Sequence, residues 1–249
     1  MHYTNKRERF FVDSARVALP FSRMTAEPAD SPTTAGREIS VWDVPTRLFH
    51  WALVLLIAFS WWSGEARRMD WHRYSGYAVL GLLAFRILWG FVGSSTARFA
   101  GFLRSPAATL RYLRGERVGV GHSPLAAWSV LAMLGLLALQ VGLGLFAVDV
   151  DGFESGPLSD RVSFEAGRQA AEWHDLVFNA MLALIALHVA AVVAYLLFRR
   201  DNLIRPMITG SRPAGEGDAP MQPGSRLGLA VCVALAALVA WAVAKGLRF

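Results

Sequence analysis

The sequence is poor in cysteine and in charge, and each shortage excludes a class of protein. Its 249 residues include a single cysteine, Cys232. One cysteine excludes an internal disulfide, a zinc site built from thiolates and the Cys-x-x-Cys-His motif that attaches haem covalently. Charged residues make up only 18% of the chain, and Asp and Glu are almost absent from its long apolar runs. We therefore interpret Cys232 as a small apolar residue of a membrane protein.

Two polar segments lack the signals of membrane insertion or of folded structure. Residues 1–40 mix charge, Pro, Ser and Thr and contain no apolar core of the signal-peptide type. We predict that they form a disordered cytoplasmic tail. Residues 211–224, SRPAGEGDAPMQPG, are rich in Gly and Pro and predict a flexible linker.

Apolar residues, in contrast, make up 54% of the chain and are concentrated in runs as long as a membrane helix. With short helical flanks, each run approaches the ~20 residues that a spanning helix needs. The composition and the runs predict an all-α membrane protein with five transmembrane helices, numbered 1 to 5 in chain order. The five runs are residues 48–64, 77–93, 125–148, 172–200 and 227–244.

The net charge of +6 is distributed unevenly between the connections, which predicts the orientation of the chain. Residues 149–175 hold seven acids and two arginines. By the positive-inside rule, the N-terminus is predicted to lie in the cytoplasm and the C-terminus in the periplasm. No basic and aromatic groove for nucleic acid accompanies the arginines. The arginines of the two basic connections are Arg98, Arg104, Arg111, Arg114 and Arg117, and Arg199, Arg200, Arg205, Arg212 and Arg226.

Four histidines lie in or at the ends of the predicted helices. His174 and His188 of helix 4 are fourteen residues apart, so they share one helix face at depths that differ by roughly 21 Å. His50 begins helix 1 on the cytoplasmic side, and His72 begins helix 2 on the outer side. The predicted orientation therefore sorts the four into an inner pair, His50 with His188, and an outer pair, His72 with His174.

Two imidazoles that face each other across a helix bundle are typical axial ligands of haem iron. When protein fills both axial positions, the iron does not readily bind O₂ and passes single electrons. Two such pairs at two depths predict two non-covalent haems b, His50 and His188 holding one and His72 and His174 the other.

Arg86 lies well inside helix 2, fourteen residues after His72, and a membrane-buried arginine needs a partner or water. Because acids are rare in the runs, we expect an external anion such as a haem propionate or a quinone head; a snorkelling or water-paired arginine is the alternative. Gln140 is interpreted as an interhelical hydrogen-bonding residue, and His122 as a loop or cap residue or a lining of a quinone or proton path. Glycines in the predicted helices have two interpretations: they let a flat macrocycle approach the backbone, or they simply allow helices to pack closely. They are Gly76, Gly81, Gly135, Gly142 and Gly144.

Several motifs, in order, resemble prokaryotic cytochrome b561, a family that includes the b-type cytochrome subunits of nickel-iron hydrogenases. The resemblance covers residues 41–210 and implies a four-helix transmembrane bundle binding two haems b, with electrons passing to or from ubiquinone or menaquinone. It implies the same ligand pairs. The motifs are VWDVPTRLFHW (41–51), MDWHRYSGY (69–77), FRILWGFVGSSTARF (85–99), GHSPLAAWSVL (121–131), LALIALHVAAVVAY (182–195) and RRDNLIRPMITG (199–210).

The expected function is electron transfer across a bacterial inner membrane, between a periplasmic-side redox partner and the quinone pool. The partner is expected to be a c-type cytochrome, which the acidic outer loop suits electrostatically, or a hydrogenase-like complex. Residues 225–249 are expected to form a fifth helix outside the core. Two alternatives stay open: a proton or ion transporter with a histidine relay, and a membrane anchor subunit without a redox role. Whether the chain itself is an enzyme is also open.

Overall fold

The structure of the chain is a computed structural model. It describes residues 37–103, 105, 124–151, 153–215 and 218–248. The predicted tail through residue 36 lies outside the described residues, as do His2 and His122, so the interpretation of His122 as a loop or path residue receives no structural account.

Within the described part of the chain, five long helices are apolar and long enough to cross a membrane, which confirms the prediction of a mostly helical membrane protein. α4 continues through a π-helical turn, Tyr195–Arg199. Shorter helical segments are Phe99–Phe102, Ser159–Arg161 and Ile204–Thr209. The long helices are α1 (Val44–Glu65), α2 (Met69–Val92), α3 (Pro124–Phe146), α4 (Phe164–Ala194) and α5 (Arg226–Ala244).

Three of the long helices begin at a side-chain cap. The Asp43 carboxylate accepts a hydrogen bond from the Thr46 backbone N–H at 2.8 Å, and Pro45 occupies the first turn of α1. Ser163 and Ser225 cap α4 and α5 in the same way. Such oxygens satisfy backbone donors that the first turn leaves without partners, so these starts are encoded locally.

α2 is the central helix of the described residues and packs against α1, α3 and α5, while α4 packs mainly against α3. A buried apolar cluster joins α2, α3 and α4, and side chains of α1 pack against it. Burying these side chains in close contact positions the histidines that the same helices carry. The buried members of this cluster, named here the apolar layer, are Val79, Leu83, Leu137 and Met181.

α5, which the sequence placed outside the four-helix core, packs along α2. Cys232 is 3% exposed and shares a buried cluster with Phe49 and Trp89, in agreement with its interpretation as a small apolar residue. A Cβ added at Gly81 of α2 lies 3.4 Å from Ala240, so this glycine serves helix packing. The apolar sequence of α5 requires burial or lipid, but only the packed chain selects α2 as its neighbour.

The predicted flexible linker is fixed by backbone hydrogen bonds in its described part. β1 (Glu38–Ser40) pairs with β2 (Ser211–Pro213) in an antiparallel ribbon. Further along, the Met221 N–H donates to Ser40, and Gln222 accepts from the Ser95 N–H. Residues 38–40, predicted as the end of the disordered tail, therefore belong to the folded part. The Gly and Pro content predicts a backbone that can adopt many conformations, but hydrogen bonds to a neighbouring backbone restrict it here.

Candidate functional site

The four helical histidines are half-buried and come together as the two pairs expected from their depth. The rings of His72 on α2 and His174 on α4 lie 6.0 Å apart between centroids, at an interplanar angle of 83°. His50 on α1 lies within electrostatic range of His188 on α4. Two metal–imidazole bonds of about 2 Å would separate two ligating nitrogens by about 4 Å. The spacing of the His72 and His174 rings is compatible with one metal atom between them.

Backbone carbonyls define the tautomer of both rings in the His72–His174 pair. His72 Nδ1 lies 2.9 Å from the Ser60 carbonyl oxygen, and His174 Nδ1 lies 2.9 Å from the Gln140 carbonyl oxygen. A carbonyl only accepts, so each Nδ1 carries the proton and donates it. In the neutral imidazole, Nε2 then keeps its lone pair. This is the arrangement of a metal-ligating histidine whose second nitrogen is held by a carbonyl.

Glycines lie against both rings of this pair. A Cβ added at Gly144 of α3 would approach His174 Cε1 to 2.9 Å, and one added at Gly64 of α1 would approach His72 Nδ1 to 3.3 Å. Gly76 lies one turn from His72 on the same face of α2, with open space beside it. Gly144 and Gly76 therefore lie beside the histidine pair, as expected of glycines that admit a flat macrocycle. Gly64 was not predicted, because the sequence does not show which residue lies opposite a glycine.

Gly135 and Gly142 do not face His174. They lie about 140° and 160° around α3 from Gln140, whose carbonyl holds that histidine. An added Cβ at either glycine meets nothing within 4 Å. These two glycines therefore have no role in the site that the structure brings together.

Gln140 contacts His174 with its side chain as well as its backbone. Its amide nitrogen lies 3.1 Å from His174 Nε2, and because Nδ1 holds the ring proton, the amide donates and Nε2 accepts. Gln140 is 7% exposed, and its Oε1 is buried without a partner. The interpretation as an interhelical hydrogen-bonding residue is confirmed, but sequence could not identify the partner. The sequence offered one indication of the partner: Gln140 is a polar residue four positions before Gly144, on the same helix face.

One arginine of α2, fourteen residues after His72 on the same helix face, is buried with an unused donor. Arg86 is 5% exposed, and its Nη1 has no hydrogen-bond partner. Its guanidinium lies 5.0 Å from the Phe99 ring centroid, a cation–π contact. His50 Nδ1 is likewise buried without a partner. Buried donors of this kind are costly unless a ligand or water accepts from them.

Asp43 supplies Arg86 with an anion from within the chain. Its carboxylate accepts from the Thr46 N–H and, at 2.8 Å, from Trp89 Nε1, and it interacts electrostatically with Arg86. The sequence favoured an external anion over an internal one, and the structure adds Asp43 as an internal negative charge that interacts with Arg86. Asp43 was missed because it precedes the first apolar run, and only the fold brings it to α2. Arg86 Nη1 nevertheless keeps its donor for another acceptor.

The apolar layer lies between the two histidine pairs. Val79 is seven residues after His72 on the same face of α2, and Met181 is midway between His174 and His188 on α4. Val79 and Met181 are 4% and 5% exposed, and they pack with Leu83 and Leu137. The two pairs are therefore separated by side chains that offer no hydrogen bonds to water or protons.

Segments far apart in sequence meet near the start of α1. The Gly210 carbonyl accepts from the backbone N–H groups of Val41 and Trp42. Arg47 donates to the Ile208 carbonyl, and Trp51 Nε1 donates to the Met207 carbonyl at 3.1 Å. Residues 207–210 are therefore hydrogen-bonded to residues 41–51, the segment that contains His50.

The acidic residues 149–175, which run from the end of α3 into α4, are partly neutralised by the chain itself. Three of their seven carboxylates form ion pairs: Glu154 with Arg73 at 2.7 Å, Glu172 with Arg168 at 3.7 Å and Asp160 with Arg248 at 2.5 Å. The Arg248 guanidinium holds the pKa of Asp160 below its usual range. These pairs reduce the negative field that the sequence alone indicates for a basic partner.

The donor set fits a macrocyclic iron cofactor better than a bare metal ion. Within the described ranges, no group of three or more His, Cys, Asp or Glu side chains is arranged to hold a metal ion. Histidine pairs are the axial set of a haem whose macrocycle supplies the other ligands. A buried arginine with a free donor suits a carboxylate of such a group.

The comparison with protein families gives one match, and the other comparisons give none. A family model described as prokaryotic cytochrome b561 matches residues 41–210. No curated protein and no solved structure matches the chain. The matched residues include the four helical histidines, Arg86 and both segments that meet at Gly210.

Proposed function

This chain belongs to the prokaryotic cytochrome b561 family, and we propose that it binds two haems b and carries electrons across the membrane. Membership makes it a membrane b-type cytochrome of electron transfer. The proposal adds two haems, their ligands, and a path between a periplasmic-side redox partner and ubiquinone or menaquinone. The observation that carries it is the His72–His174 pair, with both rings held in the tautomer that leaves Nε2 unprotonated.

His72 and His174 are proposed as the axial ligands of the outer haem, and His50 and His188 as those of the inner haem. The outer assignment is supported by ring separation and by the two carbonyl acceptors. The inner assignment is supported by the electrostatic proximity of His50 and His188 and by the place of His188 on α4, the helix that also carries His174. Bound haem supplies one-electron oxidation and reduction of its iron.

Arg86 is proposed to bind a propionate of the inner haem. Its buried Nη1 lacks a partner, and a charge-assisted hydrogen bond to a carboxylate would satisfy it. Asp43 offsets part of the positive charge and, through Trp89 Nε1, ties the start of α1 to α2. His50, Arg86 and Asp43 thus belong to one end of the helices, which we propose to be the cytoplasmic end.

Residues 41–210 are proposed as the di-haem domain, a four-helix bundle of α1 to α4 with α5 packed on α2. The arginines of residues 199–212 and the positive-inside rule support a cytoplasmic N-terminus and a periplasmic C-terminus. The apolar layer supports two separate haem sites, because it excludes water between the pairs and leaves them different surroundings.

The transporter alternative is less well supported than electron transfer. A histidine relay needs polar groups or water between the His72–His174 pair and the His50–His188 pair. Val79 and Met181 occupy that interval and are buried among other apolar side chains. A membrane anchor without a redox role would leave the paired, hydrogen-bonded imidazoles without a purpose.

The deciding experiment replaces one ligand of each proposed haem and counts haem per chain. His174→Ala removes the outer ligand, and His188→Ala removes the inner one. Leu176→Ala and Leu187→Ala are matched controls, because both side chains are exposed on the same helix, at 56% and 65%. Dithionite-reduced minus oxidised spectra of the purified proteins report the amount and type of haem.

We expect two low-spin b-type haems in the unchanged chain and in both controls. His174→Ala should lose the outer haem and keep the inner one, and His188→Ala should do the reverse. An unchanged chain that binds no haem would refute the proposal. A histidine variant that keeps both haems would refute the assignment of that histidine.

A further inference from the structure

We propose that Ser63 is a positioning residue that tunes the outer haem through His72: its hydroxyl weakens the hydrogen bond that His72 Nδ1 donates to the Ser60 carbonyl. The inference deepens the proposed function and rests on it, because it takes His72 as an axial ligand. Ser63 itself is not proposed to contact the iron or the macrocycle.

The Ser60 carbonyl oxygen receives more donors than an ordinary helix carbonyl. His72 Nδ1 donates to it at 2.9 Å, and the Ser63 hydroxyl also donates to it at 2.9 Å. Within α1, this oxygen is in addition the helical acceptor of the Gly64 N–H, four residues later. A carbonyl oxygen has two lone pairs, so three donors share them and each bond is weaker than it would be alone.

The carbonyl of Ser60, and not its hydroxyl, is the acceptor that the His72 ring uses. The Ser60 Oγ lies 3.4 Å from His72 Nδ1, against 2.9 Å for the carbonyl oxygen. The ring nitrogen carries one proton, and the shorter contact takes it. A Cβ added at Gly64 would lie 3.3 Å from Nδ1, so this glycine leaves room for the ring at the carbonyl.

Burial makes the Ser63 hydroxyl a fixed part of this arrangement. Ser63 is 0% exposed, so its hydroxyl donates within the protein instead of to solvent. A serine in a helix commonly donates to a carbonyl three or four residues earlier, so the bond alone is ordinary. Ser63 is distinguished by its acceptor, because the same oxygen accepts from a proposed haem ligand.

The acceptor of the other outer ligand is built on the same plan without the hydroxyl. The Gln140 carbonyl accepts from His174 Nδ1 at 2.9 Å and, within α3, from the N–H of Gly144. The position three residues after this acceptor, which corresponds to Ser63, is Leu143. A glycine thus follows each acceptor by four residues, but only the acceptor of His72 is shared with a serine.

The sharing of this carbonyl has a predictable effect on the iron. A hydrogen bond from the second nitrogen of a ligating imidazole raises the basicity of the ring. A more basic ligand stabilises ferric iron and lowers the midpoint potential. Because the Ser63 hydroxyl weakens the carbonyl as an acceptor, it acts in the opposite direction and keeps the midpoint potential of the outer haem higher.

The test removes or weakens this hydroxyl in the full-length purified protein with its haems bound. Ser63→Ala removes the donor, and Ser63→Cys keeps a side chain of similar size with a weaker donor. Ser75→Ala is the matched control, because Ser75 is 3% exposed and donates at 2.9 Å to the backbone carbonyl of His72, not to the acceptor of its ring. Potentiometric titration resolves the two haems, and the outer one is identified by its loss in His174→Ala.

We expect Ser63→Ala to bind two haems and to lower the midpoint potential of the outer one. At a fixed potential, the ratio of oxidised to reduced outer haem should rise several-fold. Ser63→Cys should shift the potential in the same direction by less. The inner haem, and both haems of Ser75→Ala, should keep their potentials.

An unchanged or raised potential of the outer haem in Ser63→Ala would overturn the inference. An equal shift in Ser75→Ala would also overturn it, because any buried serine near His72 would then have the same effect. If Ser63→Ala does not hold two haems, Ser63→Cys decides in its place by the same criteria.

Failure of this inference is distinguishable from failure of the proposed function. If His174→Ala loses the outer haem while the Ser63 variants leave the potential of that haem unchanged, only the role of Ser63 is wrong. If the unchanged chain lacks a second haem, the proposed function fails first.

Discussion

The two histidine pairs differ in how the protein prepares them. In the His72–His174 pair, the rings are 6.0 Å apart, each Nδ1 donates to a carbonyl, and a glycine lies against each ring. In the His50–His188 pair, His50 Nδ1 has no hydrogen-bond partner among the described residues, and Arg86, which we propose serves the same haem, is buried with an unused donor. Hydrogen bonds hold the histidines proposed for the outer haem, whereas a buried charge characterises the site proposed for the inner haem.

This difference teaches that the two proposed haems should respond to different kinds of substitution. Steric and hydrogen-bonding changes should affect the outer haem, and charge changes should affect the inner one. Since hydrogen bonds to a ligating imidazole raise its basicity, the ligands themselves also differ in character. The following substitutions test this separation, starting with the largest expected effect.

The largest effect is expected for Gly144→Val, which should remove the outer haem. A Cβ here would already lie 2.9 Å from His174 Cε1, so the ring must leave its position. We expect haem content to fall from two per chain toward one, measured from the reduced spectrum. Gly135→Val is the control, since it faces away from Gln140 and meets nothing within 4 Å. Loss of the inner haem in Gly144→Val would break the proposed separation.

The next effect is expected for Arg86→Met, which should weaken the inner haem. A hydrogen bond to a charged group is worth about 1.5–3 kcal/mol, so haem affinity should fall by about 10- to 100-fold. Loss of a positive charge should also lower the midpoint potential of the inner haem, because the ferric state is then less disfavoured. Redox titration and haem dissociation measure both effects. Arg86→Lys keeps the charge and should retain most of the potential; an equal shift of the outer haem would contradict the assignment.

A smaller effect is expected for Asp43→Ala, which acts on the scaffold of the inner site. The change removes the cap of α1, worth about 0.5–2 kcal/mol. It also leaves the buried Trp89 N–H without its acceptor, worth about 1–3 kcal/mol. Thermal denaturation followed by haem absorbance should therefore show earlier release of the inner haem. Asp43→Asn keeps a capping oxygen and should lose less, whereas equal losses would show that the cap contributes little.

The smallest effect is expected at the exposed Asp160–Arg248 ion pair near the end of α5. Because Arg248 lowers the pKa of Asp160 in the folded protein, the pair stabilises the fold above the ordinary carboxyl pKa of about 4. This contribution is lost as pH falls through the lowered pKa. Arg248→Ala should remove that pH dependence, measured by hydrogen exchange of the last turn of α5 between neutral and acid pH. Neither haem should change; a changed outer haem would link α5 to that site.

Much of the fold was predictable because its signals are local. The apolar runs, the Asp43, Ser163 and Ser225 caps and the histidine spacing all depend on residues within a few turns of each other. The packing of α5 against α2 was not predictable, and neither were the hydrogen bonds that the described residues of the 211–224 segment make to other parts of the chain. Both depend on which apolar or hydrogen-bonding surface another segment leaves free.

The candidate site divides in the same way. His50, His72, His174, His188 and Arg86 were identified because a polar side chain in an apolar run is costly and demands a reason. Asp43, Gly64 and the contact partner of Gln140 were not. Their relevance depends on neighbours contributed by other helices, which spacing along one helix does not reveal.

The sequence by itself determined that this chain forms membrane-length helices and carries histidines at two depths, because hydrophobic length and helical periodicity are properties of single segments. Only the tertiary structure decided which carbonyls hold His72 and His174, which glycines lie against these rings and which carboxylate interacts electrostatically with Arg86. Those features are distances between helices, and packing alone determines them.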